Sequence, residues 1–455
     1  MLRPLAGLCL AFAATQSSAQ TDSLASDRVV GALGAQLDSQ LRRFAEYGFS
    51  GSVLVVRDRR VVLLKGYGLA DVARGVRNSA ATRFEMNSMT KMFTGVSILQ
   101  LAAAGRLQLS DRVEQHLGEF PPGKRGATIE QLTTHTSGLI VEGTNLAGDP
   151  REAFVRDIKQ SPREAPPGEQ YRYTNAGYSL LGVIIEIASG QRYEAYLREH
   201  IFAPAGMRTA VFRDQVPERD PLFAHGYVGT PARLEPGPPN PYAWGTRGAG
   251  GVWTTVGDMY RWLVSVEDSG TISGPQRKLL YSPPKPPSEE AFGWHVSTGS
   301  PAIRARIDKG GGSDDFASQL LYYPNERVAI IWASNNLRQR WRQTLNQALP
   351  AIVFGDSVLA LPRIAVIPRD ALTDYAGRYF SGGATLVFRT GRNYLYAETN
   401  TLDVPTNVMF FPEDRDNFTG YDPSTRRFTR LHFARDDRQA VVIDLANGGR
   451  VEGRR

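Results

Sequence analysis

The chain has 455 residues, a formal net charge of +7, 42% hydrophobic residues and 22% charged residues. That length exceeds one ordinary domain, and the composition excludes a disordered, collagen-like or coiled-coil chain, so a globular protein of two domains is expected. The excess of Lys and Arg is scattered among Asp and Glu rather than gathered into a basic stripe, which argues against a nucleic-acid partner.

At the N-terminus, residues 1–19 read as a secretory signal peptide. Arg3 supplies a positive charge, residues 5–14 form a short apolar run, and Ser17-Ser18-Ala19 offers a small-residue cleavage site. The run is too short to span a bilayer, and no other stretch approaches the roughly 20 apolar residues of a membrane helix. A secreted or periplasmic protein with no integral membrane segment is expected. The single cysteine, Cys9, falls inside the signal, so the mature chain has no disulfide, thiol nucleophile or thiolate metal site.

Residues 26–47 place Val29, Leu33, Leu37, Leu41 and Phe44 at helical spacing. Two apolar runs, 52–56 and 61–64, flank the charged turn 57–60 and read as a strand hairpin. Residues 92–103 form a mostly apolar helix closed by Gly105, and short helices then alternate with Gly- and Pro-rich loops to about residue 262. Strands are expected again at 317–323 and 327–334, followed by a helix over 337–349. Strands at both ends with helices between them predict an α+β domain over 20–358 whose terminal strands share one antiparallel sheet. A linker over 359–371 leads into an all-β domain over 372–455, with Phe410, Phe411, Phe418 and Phe428 as its expected core.

Ser88-Met89-Thr90-Lys91 opens the apolar helix, so Ser88 and Lys91 lie on one face near its N-terminus. A serine hydroxyl is a weak nucleophile until a base takes its proton, and a partly desolvated lysine can serve or relay. The helix end adds positive potential where an oxyanion forms. Ser-x-x-Lys also arises by chance about once in such a chain, and Ser282-Pro-Pro-Lys285 is a decoy whose prolines rule out a helix-start nucleophile. Two further patterns raise the weight of Ser88: Tyr173-Thr174-Asn175, just after a Pro167-Gly168 turn, and Lys309-Gly310-Gly311-Gly312, just before a strand, where the absence of side chains lets a substrate lie edge to edge. The six histidines show no His-Glu-x-x-His or close ligand cluster, so neither metal nor other cofactor is expected. No serine stands in Gly-x-Ser-x-Gly, which weighs against an α/β-hydrolase.

In this order the three elements resemble the serine β-lactamase and D,D-peptidase superfamily, especially its class C-like branch. The segments around them are similar too: Phe84-Glu-Met-Asn-Ser-Met-Thr-Lys-Met-Phe93, Leu132-Thr-Thr-His-Thr-Ser-Gly-Leu139, Pro167-Gly-Glu-Gln-Tyr-Arg-Tyr-Thr-Asn-Ala-Gly-Tyr-Ser-Leu-Leu-Gly182 and Gly248-Ala-Gly-Gly-Val-Trp-Thr-Thr-Val-Gly-Asp258. The resemblance implies a β-lactamase-like domain in which Ser88 is acylated, Lys91 is its proton partner and Tyr173 is the base, held as a phenolate by Lys91 and Lys309. It further implies that Asn175 bonds substrate and Lys91, that the N–H groups of Ser88 and Gly312 form the oxyanion hole with Gly311 beside them, and that Lys309 supplies charge for Tyr173 or for a substrate carboxylate. The substrate would be a small molecule or a cell-wall peptide: a D-amino-acid amide, a β-lactam or a small ester. A weakly active binding or scaffold protein of the same fold is the alternative.

Two departures pull in opposite directions. Lys309 is the version found in true β-lactamases and D,D-peptidases, where many relatives have histidine. Asp314 and Asp315 stand where relatives usually carry another glycine before the aromatic residue, and would repel a carboxylate. His135 reads as a buried, loop-shaping histidine, and Asn335-Asn336-Leu337-Arg338, at the end of a strand, as a cap of the next helix, with contact to a substrate carboxylate as the alternative. Leu372-Thr-Asp-Tyr-Ala-Gly-Arg-Tyr379 resembles the start of the lipocalin-like β domains often fused to such hydrolases.

Overall fold

The computed structural model describes residues 24–454 except 140–149, 163, 231–232, 239–240, 283–285, 287, 289, 301–302, 337–340, 382, 401–403, 407, 435–439 and 445–448. The predicted signal peptide lies outside the described residues. The core element is an antiparallel sheet of eight strands: β1 (Arg28–Val29), β2 (Gly51–Arg57), β3 (Arg60–Tyr67), β4 (Glu290–Ala291), β5 (Trp294–Ser297), β6 (Arg306–Gly312), β7 (Ala317–Tyr323) and β8 (Val328–Ser334). Their spatial order is β1-β3-β2-β8-β7-β6-β5-β4. Strands from the two ends of the domain therefore meet at its middle, with Val55 opposite Ile330, as the α+β reading expects.

Five helices frame the sheet and the site: α1 (Gly31–Glu46), α2 (Thr90–Ala103), α3 (Asn175–Ser189), α4 (Val256–Glu267) and α5 (Arg342–Phe354). Successive side chains of a strand point to opposite faces, and here both faces are covered. Val53, Val55, Ile330 and Trp332 pack with Leu37, Leu41 and Phe44 of α1 and with Leu345 and Leu349 of α5. The alternate residues Leu54, Val56, Ile331 and Ala333 pack with Met92 and Phe93 of α2 and Met259 and Trp262 of α4. Double coverage is why these strands read as unbroken apolar runs in the sequence, and each such buried side chain contributes about 1.5–3 kcal/mol.

Two expected helices move. The helix expected from residue 26 starts at Gly31 because Arg28 and Val29 join the sheet edge opposite Leu64 and Leu63. Of the helix expected over 337–349, residues 337–340 lie outside the described residues; the described helix runs from Arg342 on to Phe354, because Ile352 and Val353 continue the buried face past Pro350.

The C-terminal part is a closed barrel of eight strands: β9 (Gly377–Ser381), β10 (Ala384–Thr390), β11 (Leu395–Asn400), β12 (Phe410–Pro412), β13 (Asn417–Asp422), β14 (Arg427–Phe433), β15 (Ala440–Asp444) and β16 (Arg450–Arg454). Tyr375, Tyr379, Phe388, Phe410, Phe418 and Phe433 fill it. The expected aromatic core is corrected in part: Phe410 and Phe418 are inside, whereas Phe411 and Phe428 face outward onto the sheet domain's second core. There Phe411 meets Tyr47 at 4.8 Å between ring centroids, and the Tyr421 hydroxyl lies 2.8 Å from Thr344 Oγ1 of α5. Among the described residues no helix is long and apolar enough to cross a membrane.

Candidate active site

Ser88 occupies a 3-10 turn (Asn87–Met89) that feeds directly into α2. Asn87 has φ 49°, a left-handed conformation that asparagine tolerates better than most residues. Lys91 follows one turn on and is completely buried, because α2 and the equally apolar α3 pack on each other around it. Its Nζ donates to Ser88 Oγ at 3.1 Å, to Asn175 Oδ1 at 2.7 Å and to the Ala249 carbonyl at 3.2 Å. The Tyr173 hydroxyl donates to the same Ser88 Oγ at 2.8 Å, and Lys91 Nζ stands 4.8 Å from the centroid of the Tyr173 ring. Thr174 caps α3, so Tyr173 and Asn175 are fixed on either side of a helix start. Ser88, Lys91, Tyr173 and Asn175 thus converge from two segments 85 residues apart.

Lys309, Gly310, Gly311 and Gly312 stand just before the expected strand β7 and themselves form the end of β6. Strand β5 pairs with β6 only across Arg306–Asp308, while β7 pairs with it through Gly312, so the glycine stretch is at an edge that a substrate backbone could extend. The glycines also serve the protein itself. A Cβ on Gly311 would overlap the Met86 carbonyl and lie 2.9 Å from Ser88 N. One on Gly310 would meet the Arg342 guanidinium on the other face, where Arg342 donates to the Gly311 carbonyl and to Gln319 Oε1 at 2.6 and 2.5 Å. Burial pushes this guanidinium down to about 10.

Glu290 is a site residue that sequence reasoning missed. Its two carboxylate oxygens take Lys309 Nζ at 2.8 and 2.6 Å, and Oε1 also lies 2.7 Å from His135 Nε2. His135 Nδ1 accepts the backbone N–H of Thr174 at 3.1 Å, so its proton sits on Nε2 and points at Glu290. All three side chains are at most 8% exposed. Burial pushes His135 down to about 4 against the pull of Glu290, which keeps the ring neutral. Burial alone would raise the Glu290 carboxyl, but the Lys309 charge and the His135 hydrogen bond outweigh it and hold it well below the usual carboxylate range. Lys309 Nζ lies 5.3 Å from the Tyr173 ring centroid.

Next to Ser88 is a cleft of about 130 Å³ lined by Glu85, Asn87, Asn175, Arg213, Thr246, Ala249 to Gly251, Gly312 and Ser313. Glu85 and Arg213 form an ion pair in its wall. Asp315 accepts from Ser313 Oγ at 2.8 Å and lies against Gly226 and Gly237, so it pins the loop beside the cleft; Asp314 is exposed. Among the described residues the cap position of α5 is Trp341, and Asn335 and Asn336 are turned elsewhere: Asn335 is buried and donates to the Ala70 and His225 carbonyls, and Asn336 donates to the Gly48 carbonyl, while Leu337 and Arg338 lie outside the described residues. No group of three or more potential metal ligands occurs among the described residues. Glu290 gave no signal because it lies 155 residues from His135 and outside every recognisable motif, whereas Ala249 lies within the Gly248-Ala-Gly-Gly segment.

The Beta-lactamase family profile matches residues 37–349. A Bacillus subtilis protein bearing the name penicillin-binding protein PbpX is 35% identical over 56% of this chain and 64% of its own, somewhat under two thirds. Penicillin-binding protein 4* of the same organism is 29% identical over 82% of this chain and 88% of its own. Among solved structures, an octameric penicillin-binding protein homologue from Pyrococcus abyssi superposes with a TM-score of 0.63 at 23% identity, covering 93% of this chain and all of the other; this likeness is one of fold. With a profile match over more than half its length, the chain belongs to the Beta-lactamase family.

Proposed function

We propose that this is a secreted hydrolase that cleaves an amide or ester through an acyl-enzyme on Ser88. The observation that carries the reading is the pair of hydrogen bonds, 2.8 Å from Tyr173 and 3.1 Å from Lys91, that converge on one Ser88 oxygen at the mouth of a cleft. For acylation Tyr173 first releases its hydroxyl proton to solvent; the phenolate so formed, beside the Lys91 charge, then takes the Ser88 proton as Oγ attacks the substrate carbonyl. The N–H groups of Ser88 and Gly312 receive the oxyanion, and the proton is delivered to the departing amine or alcohol. A water activated by the same oxygen then releases the acyl group. Asn175 holds Lys91 in place and faces the cleft. Secretion rests on the signal-like residues 1–19, and the candidate substrates are D-amino-acid amides, cell-wall peptides, β-lactams and small esters.

The test is intact-protein mass spectrometry after treatment with a fluorophosphonate and, separately, a penicillin, with Ser88→Ala as control. One phosphonyl group per chain, lost in Ser88→Ala, is expected. Wild-type protein left unmodified by both reagents would point to a non-catalytic protein on the same fold.

A further inference from the structure

We propose that Glu290 sets the substrate class of this site: by saturating Lys309 it withdraws that lysine from substrate recognition, so the hydrolase takes amides and esters that carry no carboxylate beside the scissile bond. The inference rests on the reading of Ser88 as nucleophile. Its basis is a count of charges around the cleft.

Lys309 stands where an anchor for a substrate carboxylate would be sought, but both Glu290 oxygens already bond its Nζ. The pair is buried and neutral as a unit, and His135, uncharged, fills a further acceptor position on Glu290. A carboxylate arriving here would shed its water and meet no net positive charge in return, which is unfavourable in a buried setting. Among the described residues the remaining charges do not change the sum. Glu85 and Arg213 offset each other in the cleft wall. Arg342 is held on the opposite face of β6 by Gly311 and Gln319. Asp314 and Asp315, at the end of β6, add negative charge. Among the described residues Lys91 is the cation bonded to Ser88, and it lies beneath the nucleophile among Ser88, Asn175 and Ala249. The opposing clues in the sequence, a lysine that invites a carboxylate and two acids that repel one, are thereby settled on the side of a neutral substrate.

Glu290 acts through Lys309 and His135 and is a positioning residue. The titratable groups packed around it are Lys309, His135, Tyr173, Tyr178, Lys91 and His295. The test uses two depsipeptide esters that are identical except that one ends in a carboxylate and the other in the carboxamide, and compares their kcat/KM in wild type, Glu290→Gln and Lys309→Gln. Fluorophosphonate titration counts active Ser88 in each sample. Wild type is expected to prefer the carboxamide. Glu290→Gln leaves Lys309 charged without its counter-ion, so the carboxylate ester should gain roughly tenfold or more relative to the carboxamide, the worth of a hydrogen bond to a charged group. Lys309→Gln removes the charge that holds Glu290 ionised, so burial returns that carboxyl to its neutral form. The site stays uncharged, the ratio should stay within about twofold of wild type, and this variant carries the test if Glu290→Gln does not fold. Because the readout is a ratio, loss of folded enzyme does not move it. A wild type that prefers the carboxylate, or a ratio that is unmoved in Glu290→Gln or collapses in Lys309→Gln, overturns the proposal while Ser88 still labels. Failure of Ser88 to label in wild type overturns the hydrolase reading itself.

Discussion

The His135 ring lies 4.5 Å from the Tyr173 ring, tilted by 34°, and the same imidazole holds the backbone of Thr174, the residue between Tyr173 and Asn175. A neutral histidine that accepts with one nitrogen and donates with the other thus ties Tyr173, which bonds the nucleophile, and Asn175, which holds Lys91, to the Glu290–Lys309 pair on the sheet. The brace works only while the ring is neutral, since protonation at Nδ1 would turn its hydrogen bond with the Thr174 N–H into a clash of donors.

The first prediction follows from that protonation state. His135 titrates near 6.5 when unfolded and is pushed down to about 4 in the fold. Between those values the unfolded chain binds more protons than the folded one, so stability is present above about pH 6.5 and is lost as pH falls toward 4. The Glu290 carboxyl, held low, shifts stability in the same direction at still lower pH. Urea unfolding at pH 7.5, 6, 5 and 4.5 should show a decline on the order of 3 kcal/mol from the histidine. His135→Gln, whose amide can both accept and donate, should be less stable at pH 7.5 and flatter across this range. A wild-type stability independent of pH down to 4.5 would contradict the assignment.

The second prediction concerns chemistry rather than folding. Tyr173→Phe removes the hydroxyl 2.8 Å from Ser88 Oγ but keeps the ring against His135. Turnover should fall by about 10²- to 10⁴-fold, the usual worth of a general base, with thermal stability nearly unchanged. The fall should appear in kcat more than in KM, because proton transfer is made in the transition state. A variant that keeps a tenth of wild-type kcat would hand the base role to Lys91.

How far this site could be read in advance depends on chain distance. Ser88 and Lys91 are three residues apart, Tyr173 and Asn175 two apart, and Lys309 to Gly312 contiguous, so each piece carried its own local pattern and their order supplied the resemblance. Glu290 and Arg342 act through contacts with residues distant in the chain that periodicity and motifs do not encode. The fold shows the same division. Strands β2 and β8 were legible because both faces are buried, while the short strands β4 and β5 have too few residues to show a period. The start of α1 and the C-terminal end of α5 differ from the local reading because tertiary pairing of Arg28–Val29 and burial of Ile352 and Val353 override local signals. Phe411 and Phe428 look like any barrel aromatic, and only the docking of the barrel on α1 and α5 turns them outward.

A third prediction separates two glycines. A Cβ on Gly311 would strike the Met86 carbonyl, which is backbone next to the nucleophile turn, whereas one on Gly310 would strike the end of the Arg342 side chain. Backbone cannot swing aside, but a guanidinium can. Gly311→Ala should therefore cost about 1–3 kcal/mol of stability as an overpacked site and displace Ser88 enough to suppress phosphonate labelling. Gly310→Ala should be milder on both counts. Equal labelling rates for the two variants would show that the strand moves freely against α2.

The last prediction tests whether the barrel is part of the hydrolase or only attached to it. Thr344 of α5 bonds the Tyr421 hydroxyl and the Pro423 carbonyl at 2.8 and 2.7 Å in a buried setting, and Tyr421 stacks near Trp341, whose ring also contacts Phe44 and Phe49 of the sheet domain. Thr344→Val keeps the shape and removes both hydrogen bonds, leaving polar groups of the barrel unpaired at about 1–3 kcal/mol. Because the lost contact spans the two parts, it lowers the stability of both if they unfold together. A single calorimetric transition in the wild type, shifted down as a whole in Thr344→Val, is therefore the expected result. If the barrel were an independent appendage, the scan would resolve two transitions and the variant would move only one. The single transition would also make the barrel a determinant of Ser88 chemistry, because Trp341 precedes Arg342, and Arg342 holds the glycine strand from behind.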